Sequence, residues 1–163
     1  MDELKKALDI ALTGPEADKA VALACKQIAH WGLVMPNVTP LPLDFGLHDF
    51  KRIGEVEFWI ANEVEAGYCG KFLFVFDAQT CPTHYHAEKH ETFYVVKGRV
   101  RMQCHGKTHE MKEGDVLSVV PGQHHAFTGI GPALLLEVSN PSMVDDNYFD
   151  NPNIPIGGNY RGK

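Results

Sequence analysis

The feature that most restricts the fold is a run of short strand-like segments between residues 55 and 139. Polar and apolar residues alternate within them, with Val56 and Phe58 on one face of the first segment and Glu55 and Glu57 on the other. No long helical pattern interrupts the run. About eight strands in about 90 residues predict a small antiparallel barrel or sandwich. The predicted strands are residues 55–64, 71–77, 92–96, 99–104, 107–111, 116–120, 125–128 and 133–139.

Two short helices are predicted before the strands. Residues 2–13 carry an amphipathic pattern that ends at Gly14, and Pro15 suits the first turn of a second helix that stops near Trp31. Prolines at positions 36, 40 and 42 then predict an extended arm, and a strand is expected to begin within residues 43–47. We divide the chain into an N-terminal helical segment, residues 1–33, that packs on a barrel, and the barrel with its C-terminal tail, residues 34–163.

Composition narrows the class of protein. The chain has 163 residues, 44% of them hydrophobic, and a net charge of -6, which is typical of one globular domain. Lysine and arginine form no cluster and no apolar run is long enough to span a bilayer, so neither nucleic acid nor membrane is an expected partner. The acidic N-terminus lacks a hydrophobic signal region, and the four cysteines are widely spaced, which together favour a cytoplasmic protein with reduced thiols.

One segment carries the pattern of a metal site. His84 and His86 are two residues apart, so both side chains lie on one face of a strand while Tyr85 points away. Residues 87–90 have the composition of a turn that would bring Glu91 back beside the histidines. Imidazoles and a carboxylate are common ligands of divalent metals.

A second segment, residues 114–127, offers a further histidine after Pro121-Gly122. The two segments resemble the two-part signature of the cupin superfamily over about residues 70–138, although Ala78 stands where that family usually has a glycine and Val120 replaces a common proline. The resemblance places His125, and not His124, at the ligand position. It implies a mainly β, jelly-roll β-barrel in which one divalent ion is held by His84, His86, Glu91 and His125, and it implies a homodimer.

Other polar residues are candidates for chemistry near such an ion. Glu137 interrupts an apolar strand, where a carboxylate is either a buried base or a solvent-facing edge residue. Lys89 is either a substrate contact or an exposed loop residue, and Lys71 lies on the strand face opposite three phenylalanines. Trp59 and Phe127 either line a pocket or pack in the core.

A narrower resemblance, over about residues 43–153, is to the D-lyxose isomerase family of cupins. It is carried by Gly70-Lys71, by residues 79–93, by residues 121–127, by Glu137-Val138-Ser139 and by Phe149-Asp150-x-Pro152. The resemblance implies interconversion of a free aldose and ketose, such as D-lyxose with D-xylulose or D-mannose with D-fructose, through an enediol. It implies Mn²⁺, with Co²⁺, Fe²⁺, Ni²⁺ or Zn²⁺ as alternatives. The implied roles are substrate contact for Lys71, Lys89, Glu137 and Phe127, and catalysis for Glu137, Lys89 and Asp150.

Three other functions remain open on the sequence. The same ligands would suit an Fe(II) dioxygenase, although that chemistry does not require the lysines or Glu137. A sugar-phosphate isomerase would require a phosphate clamp, and the arginines are few and scattered. A non-catalytic module that binds sugar or metal would bind its ligand without exchanging the C2 proton.

Overall fold

Eleven strands and two N-terminal helices make up residues 2–160, the part of the chain that this computed structural model describes. Met1 and residues 161–163, the end of the predicted tail, lie outside it. The mainly β fold class is therefore confirmed. The strands in chain order are β1 (Leu41–Leu43), β2 (Glu55–Glu63), β3 (Tyr68–Val75), β4 (Thr80–His86), β5 (Glu91–Lys97), β6 (Arg99–Cys104), β7 (Lys107–Lys112), β8 (Val116–Val119), β9 (His125–Gly129), β10 (Ala133–Ser139) and β11 (Asn147–Phe149).

The strands form two antiparallel sheets that face each other. One sheet has the order β1-β2-β3-β10-β5-β8 and the other the order β11-β4-β9-β6-β7. Within the described residues the ladders form two separate sheets and do not close into one hydrogen-bonded barrel, so the arrangement is a jelly-roll sandwich around a core. Side chains that face inward from both sheets fill this core and surround one cavity.

The first N-terminal helix is shorter and more divided than the sequence predicts. Helix α1 spans Asp2–Ala7 and continues as a 3₁₀ turn over Leu8–Ile10, whereas one helix was expected over residues 2–13. The helix ends early because Ala11 pairs with Leu43 and the Leu12 N–H donates to the Pro42 carbonyl, so the chain joins the edge of the first sheet. Helix α2 spans Gly14–His30, close to its predicted bounds.

Helix α2 determines which face of the first sheet is inside. Its buried residues Ala20, Ala24 and Ile28 are four apart and share one face, which packs on an outer apolar cluster that includes Phe58 and Phe74. Alternate residues of a strand face opposite ways, so the charged residues that alternate with the phenylalanines along β2 and β3 point into the sandwich. The charged face of β2 and β3 is thus the interior one.

The remaining differences from the predicted strands are local. Strand β1 lies at Leu41–Leu43, just before the expected position, and β11 in the tail was not predicted. A bulge between Trp59 and Ala61 leaves Ile60 exposed, although the alternation placed it with Val56 and Phe58. In residues 2–160 no helix is long and apolar enough to cross a membrane.

Candidate metal centre

Three histidines converge inside the sandwich. His84 and His86 lie on β4 and His125 on β9, which pair so that His84 is opposite His125. All three are buried, and one ring nitrogen of each lies within 4.8 Å of the other two. Tyr85 points to the opposite face, as predicted, where it stacks on Tyr148 at 4.8 Å between ring centres.

Each histidine is oriented by a backbone carbonyl. The Nδ1 atoms of His84, His86 and His125 lie 2.8, 3.0 and 3.0 Å from the carbonyl oxygens of Pro82, Asp146 and Gln123. A carbonyl oxygen can only accept, so each Nδ1 carries a proton, and in the neutral ring Nε2 then keeps a free lone pair. This is the tautomer in which imidazoles bind metals through Nε2.

Glu91 completes the cluster from the opposite sheet. One of its carboxylate oxygens lies 3.3 Å from His86 Nε2 and the other lies 3.0 Å from His125 Nε2. Among the described residues, His86 Nε2, His125 Nε2 and Glu91 Oε2 are buried without a hydrogen-bond partner. Three imidazoles and a carboxylate with orphaned atoms fit a divalent metal ion.

The protonation of these groups also suits a metal. Burial lowers the pKa of His84 well below its ordinary value, and the neighbouring His125 and His86 add to the shift. Burial opposes ionisation of Glu91, but the Lys89 ammonium and both histidine contacts outweigh burial and hold the pKa of Glu91 well below its usual range. Metal binding requires a neutral histidine and an ionised glutamate. The two pKa shifts favour these forms for His84 and Glu91.

A chain of buried charges runs from Glu91 across the first sheet. The Lys89 ammonium lies 2.6 Å from a carboxylate oxygen of Glu91 and 2.6 Å from one of Glu137. Burial alone would lower the pKa of Lys89, but the charges of Glu137 and Glu91 outweigh burial and raise it. Ser139 donates a 2.9 Å hydrogen bond to Glu137 from two residues along β10.

The same chain continues to β2. Lys71 Nζ lies 3.5 Å from a carboxylate oxygen of Glu137 and 2.6 Å from one of Glu57. Trp59 Nε1 donates a 2.7 Å hydrogen bond to the other oxygen of Glu57, and its ring centre lies 4.9 Å from Lys71 Nζ. Burial would lower the pKa of Lys71, but Glu137 and Glu57 raise it well above its ordinary value. Both lysines are therefore positively charged.

Strand register explains why these side chains meet. Trp59 is opposite Lys71, Lys71 is opposite Glu137, and Glu137 is opposite Phe93 on the next strand. Directly opposed residues on antiparallel strands share a face, so this row lies on one inner surface. The sequence placed Lys71 on the face opposite the phenylalanines, and the structure agrees.

The structure brings most of the predicted site residues together. The cavity is lined by His84, Glu91, Lys71, Lys89, Glu137 and Phe127, and His125 adjoins it.

Asp150 does not join them: its carboxylate is about half exposed and lies 2.8 Å from Nδ1 of the exposed His124. That pair lies on the outer face of the second sheet with Tyr85, so the structure does not support the catalytic role suggested for Asp150. His90 is exposed in the turn, as expected.

Three residues near the site were missed. Glu55 and Glu57 were noted only as the polar face of β2, but both are buried in the cavity lining. Asp146 accepts hydrogen bonds from the backbone N–H groups of Ala87, Glu88 and Lys89, at 2.9–3.3 Å. It thereby fixes the turn that positions Lys89 and Glu91. The burial of Glu55 and Glu57 depends on helix α2, which covers the opposite face of β2, and the contact of Asp146 has no local signal.

Both ends of the chain contribute to the wall of the cavity. Ala7 and Ile10 reach it from the N-terminus, and Val144 and Phe149 reach it from the tail. Glu3 accepts a 2.6 Å hydrogen bond from the Val144 N–H and joins the two segments. The tail therefore forms part of the cavity wall together with the N-terminal segment.

Comparisons with known proteins agree with this geometry. Residues 72–139, which include the three histidines, Glu91 and Glu137, match the family described as the cupin domain. A D-lyxose/D-mannose isomerase of Thermosediminibacter oceani is 29% identical to this chain, with 68% of this chain and 76% of that protein aligned.

Two solved structures share the fold over nearly the whole chain. The L-ribose isomerase of Acinetobacter sp. DL28 in complex with L-ribose has a TM-score of 0.73 at 15% identity, covering 89% of this chain and 95% of that one. The L-ribose isomerase of Cellulomonas parahominis with L-ribose has a TM-score of 0.71 at 16% identity, covering 90% and 96%. These identities show a common fold alone. Residues 72–139 of the chain therefore resemble the cupin domain, and the chain shares the fold of these two structures.

Proposed function

We propose that the chain is a metal-dependent isomerase that interconverts a free aldose and its ketose. The observation that carries the proposal is Glu137, a carboxylate only 2% exposed that lies between two lysines in the cavity that the histidines line. A buried carboxylate beside a metal centre can act as the general base that moves a proton between carbon atoms. The similarity to a D-lyxose/D-mannose isomerase supports D-lyxose with D-xylulose, or D-mannose with D-fructose, as the first substrates to test.

The reaction moves a proton between C2 and C1 through an enediol. In this proposal Glu137 accepts the proton from C2 and returns it to C1, while the hydrogen bond from Ser139 and the contact with Lys89 hold its carboxylate in one orientation. Lys89 has three N–H donors, and two point at Glu137 and Glu91. The third can donate to a substrate oxygen on which negative charge develops.

A divalent ion bound by His84, His86, His125 and Glu91 would supply Lewis acidity toward the carbonyl and adjacent hydroxyl oxygens. We propose Mn²⁺ first, with Co²⁺, Fe²⁺, Ni²⁺ and Zn²⁺ as alternatives. Lys71 orients Glu137 from the side opposite Lys89, and the aromatic ring of Phe127 borders the cavity. The segments from both chain ends that line the cavity would limit the access of water to the enediol.

The test is isomerisation by reconstituted protein. The chain is stripped of metal and loaded separately with Mn²⁺, Fe²⁺, Co²⁺, Ni²⁺ or Zn²⁺, and a panel of free aldoses and ketoses in D₂O is followed by NMR. Interconversion with deuterium entering the product in at least one metal form is expected. Failure of every sugar with every metal contradicts the proposal.

Two controls distinguish other functions. Oxygen uptake with a catechol, flavonol or thiol substrate by the Fe²⁺ form would indicate a dioxygenase. Saturable sugar binding without exchange of the C2 proton would indicate a binding module. The lysines beside Glu137 favour isomerisation because they can stabilise an oxyanion of the enediol, a role that the dioxygenase chemistry does not require.

A further inference from the structure

We propose that Glu55 and Glu57 form a second polar site in the cavity, which binds the hydroxyl groups of the sugar farthest from its carbonyl carbon. This inference rests on the proposed isomerase function and deepens it. It assigns the residues that recognise the distal end of the sugar and that select a neutral chain over a charged one. Both residues lie on β2, are buried and line the same cavity as the histidines.

The two glutamates lie away from the metal centre. Strand β2 is separated from β5, which carries Glu91, by β3 and β10. Three interstrand spacings correspond to about 14 Å. Glu57 is linked to Glu91 through successive contacts with Lys71, Glu137 and Lys89. A sugar whose carbonyl end is at the metal centre, and whose C2 is near Glu137, therefore extends its other end toward β2.

Glu55 has an unsatisfied atom that the metal centre does not explain. Four buried side-chain polar atoms in residues 2–160 have no hydrogen-bond partner, and three of them belong to His86, Glu91 and His125. The fourth is Oε2 of Glu55. Buried polar atoms in native proteins almost always have a partner, so an orphaned oxygen in a cavity wall indicates a ligand that supplies one.

The state of Glu55 suits a hydroxyl group. Burial raises the pKa of Glu55 well above its ordinary value, and the negative charge of Glu57 and a hydrogen bond with Glu57 add to the shift. A protonated carboxyl can donate one hydrogen bond and accept others, and a hydroxyl group can do the same. Glu57 differs because both its oxygens are already bound, by Lys71 and by Trp59, yet each oxygen retains a lone pair for a second donor.

Glu55 and Glu57 also disfavour a charged group at the distal end of the sugar. A phosphate or carboxylate would lie against Glu57 and would require cationic donors that are not already paired. Lys71 is engaged by Glu57 and Glu137, and no arginine is among the described residues that line the cavity. The distal end is therefore built for a neutral polyol and rejects sugar phosphates and uronic acids by charge repulsion and desolvation.

The test compares sugars that differ by one hydroxyl. Values of kcat/KM are measured for D-lyxose against 5-deoxy-D-lyxose and for D-mannose against 6-deoxy-D-mannose, with wild type, Glu55→Leu and Glu55→Gln. The matched control is Glu63→Gln, at an exposed glutamate on the same strand. Wild type is expected to prefer the parent sugar on the order of tenfold or more, because a deoxy sugar leaves a buried polar group unpaired. Glu55→Leu should reduce this preference to about one, and Glu63→Gln should retain it.

Each result has a defined meaning. A wild type that does not distinguish parent from deoxy sugars overturns the inference without any variant, so the result does not depend on how a variant folds. An unchanged preference in Glu55→Leu, or turnover of mannose 6-phosphate as fast as mannose, also overturns it.

Failure of the proposed function would be seen separately, as a wild type that exchanges no C2 proton from any sugar. Calorimetric binding of D-arabitol and D-mannitol then decides the inference. Binding that Glu55→Leu weakens tenfold or more supports a polyol site at β2, and no saturable binding by wild type overturns it.

Discussion

Replacing Lys89 with methionine removes the ammonium at the centre of the buried charge chain. Lys89 is 4% exposed and touches two carboxylates, each at 2.6 Å. Methionine fills a similar volume without the charge, so Glu91 and Glu137 lose their shared cation. Breaking a buried ion pair by removing one partner costs about 3–5 kcal/mol, which for a chain of this size lowers Tm by roughly 6–20 °C.

Thermal and urea unfolding of metal-free protein measure this loss. Lys107→Met, at an exposed position in the hairpin between β6 and β7, is the control and should change stability by less than about 0.5 kcal/mol. The double variant Lys89→Met/Glu137→Gln should recover part of the loss, since it removes one of the two uncompensated charges. The reasoning is refuted if Lys89→Met unfolds within 1 kcal/mol of wild type, roughly the size expected for a surface ion pair.

Three further predictions concern single residues. His84→Ala should abolish stoichiometric metal retention after dialysis, measured by elemental analysis, whereas His124→Ala should retain the metal because it lies on the outer face. Asp146→Ala should weaken metal affinity about 10–100-fold in a competition titration, since it frees the turn before Glu91; unchanged affinity would contradict this. Ala78→Gly should raise the free energy of unfolding in urea by about 0.5–1 kcal/mol, because Ala78 has a φ of 58°, where only glycine is unstrained.

Much of the fold and the centre of the site could be predicted from local sequence. The strands from residue 92 to residue 139 lie within a few residues of their predicted bounds, because alternation with a period of two is set by neighbours in the chain. His84 and His86 share a face for the same reason, and Glu91 is close along the chain. Glu137 was identified because a charge in an apolar strand conflicts with burial unless it is paired, and Lys71 because it lies on the face opposite three phenylalanines.

The remainder depends on contacts between distant parts of the chain. Glu55 and Glu57 face inward because helix α2 covers the other side of β2, a fact that alternation within β2 does not contain. Asp146 reaches the turn at residues 87–89 across more than 55 residues. Asp150 was assigned by similarity of a short motif, and the pairing of β11 with β4 carries it to the outer surface beside His124.

We propose that one cavity contains both a metal centre and a separate carboxylate that moves the proton. Deuterium exchange at C2 of the sugar, measured with manganese-loaded Glu137→Gln and wild type at matched metal content, separates these two parts. The variant should bind manganese as wild type does and should exchange the C2 proton about 10²–10⁴-fold more slowly. Full metal occupancy with an unchanged exchange rate would contradict the proposal.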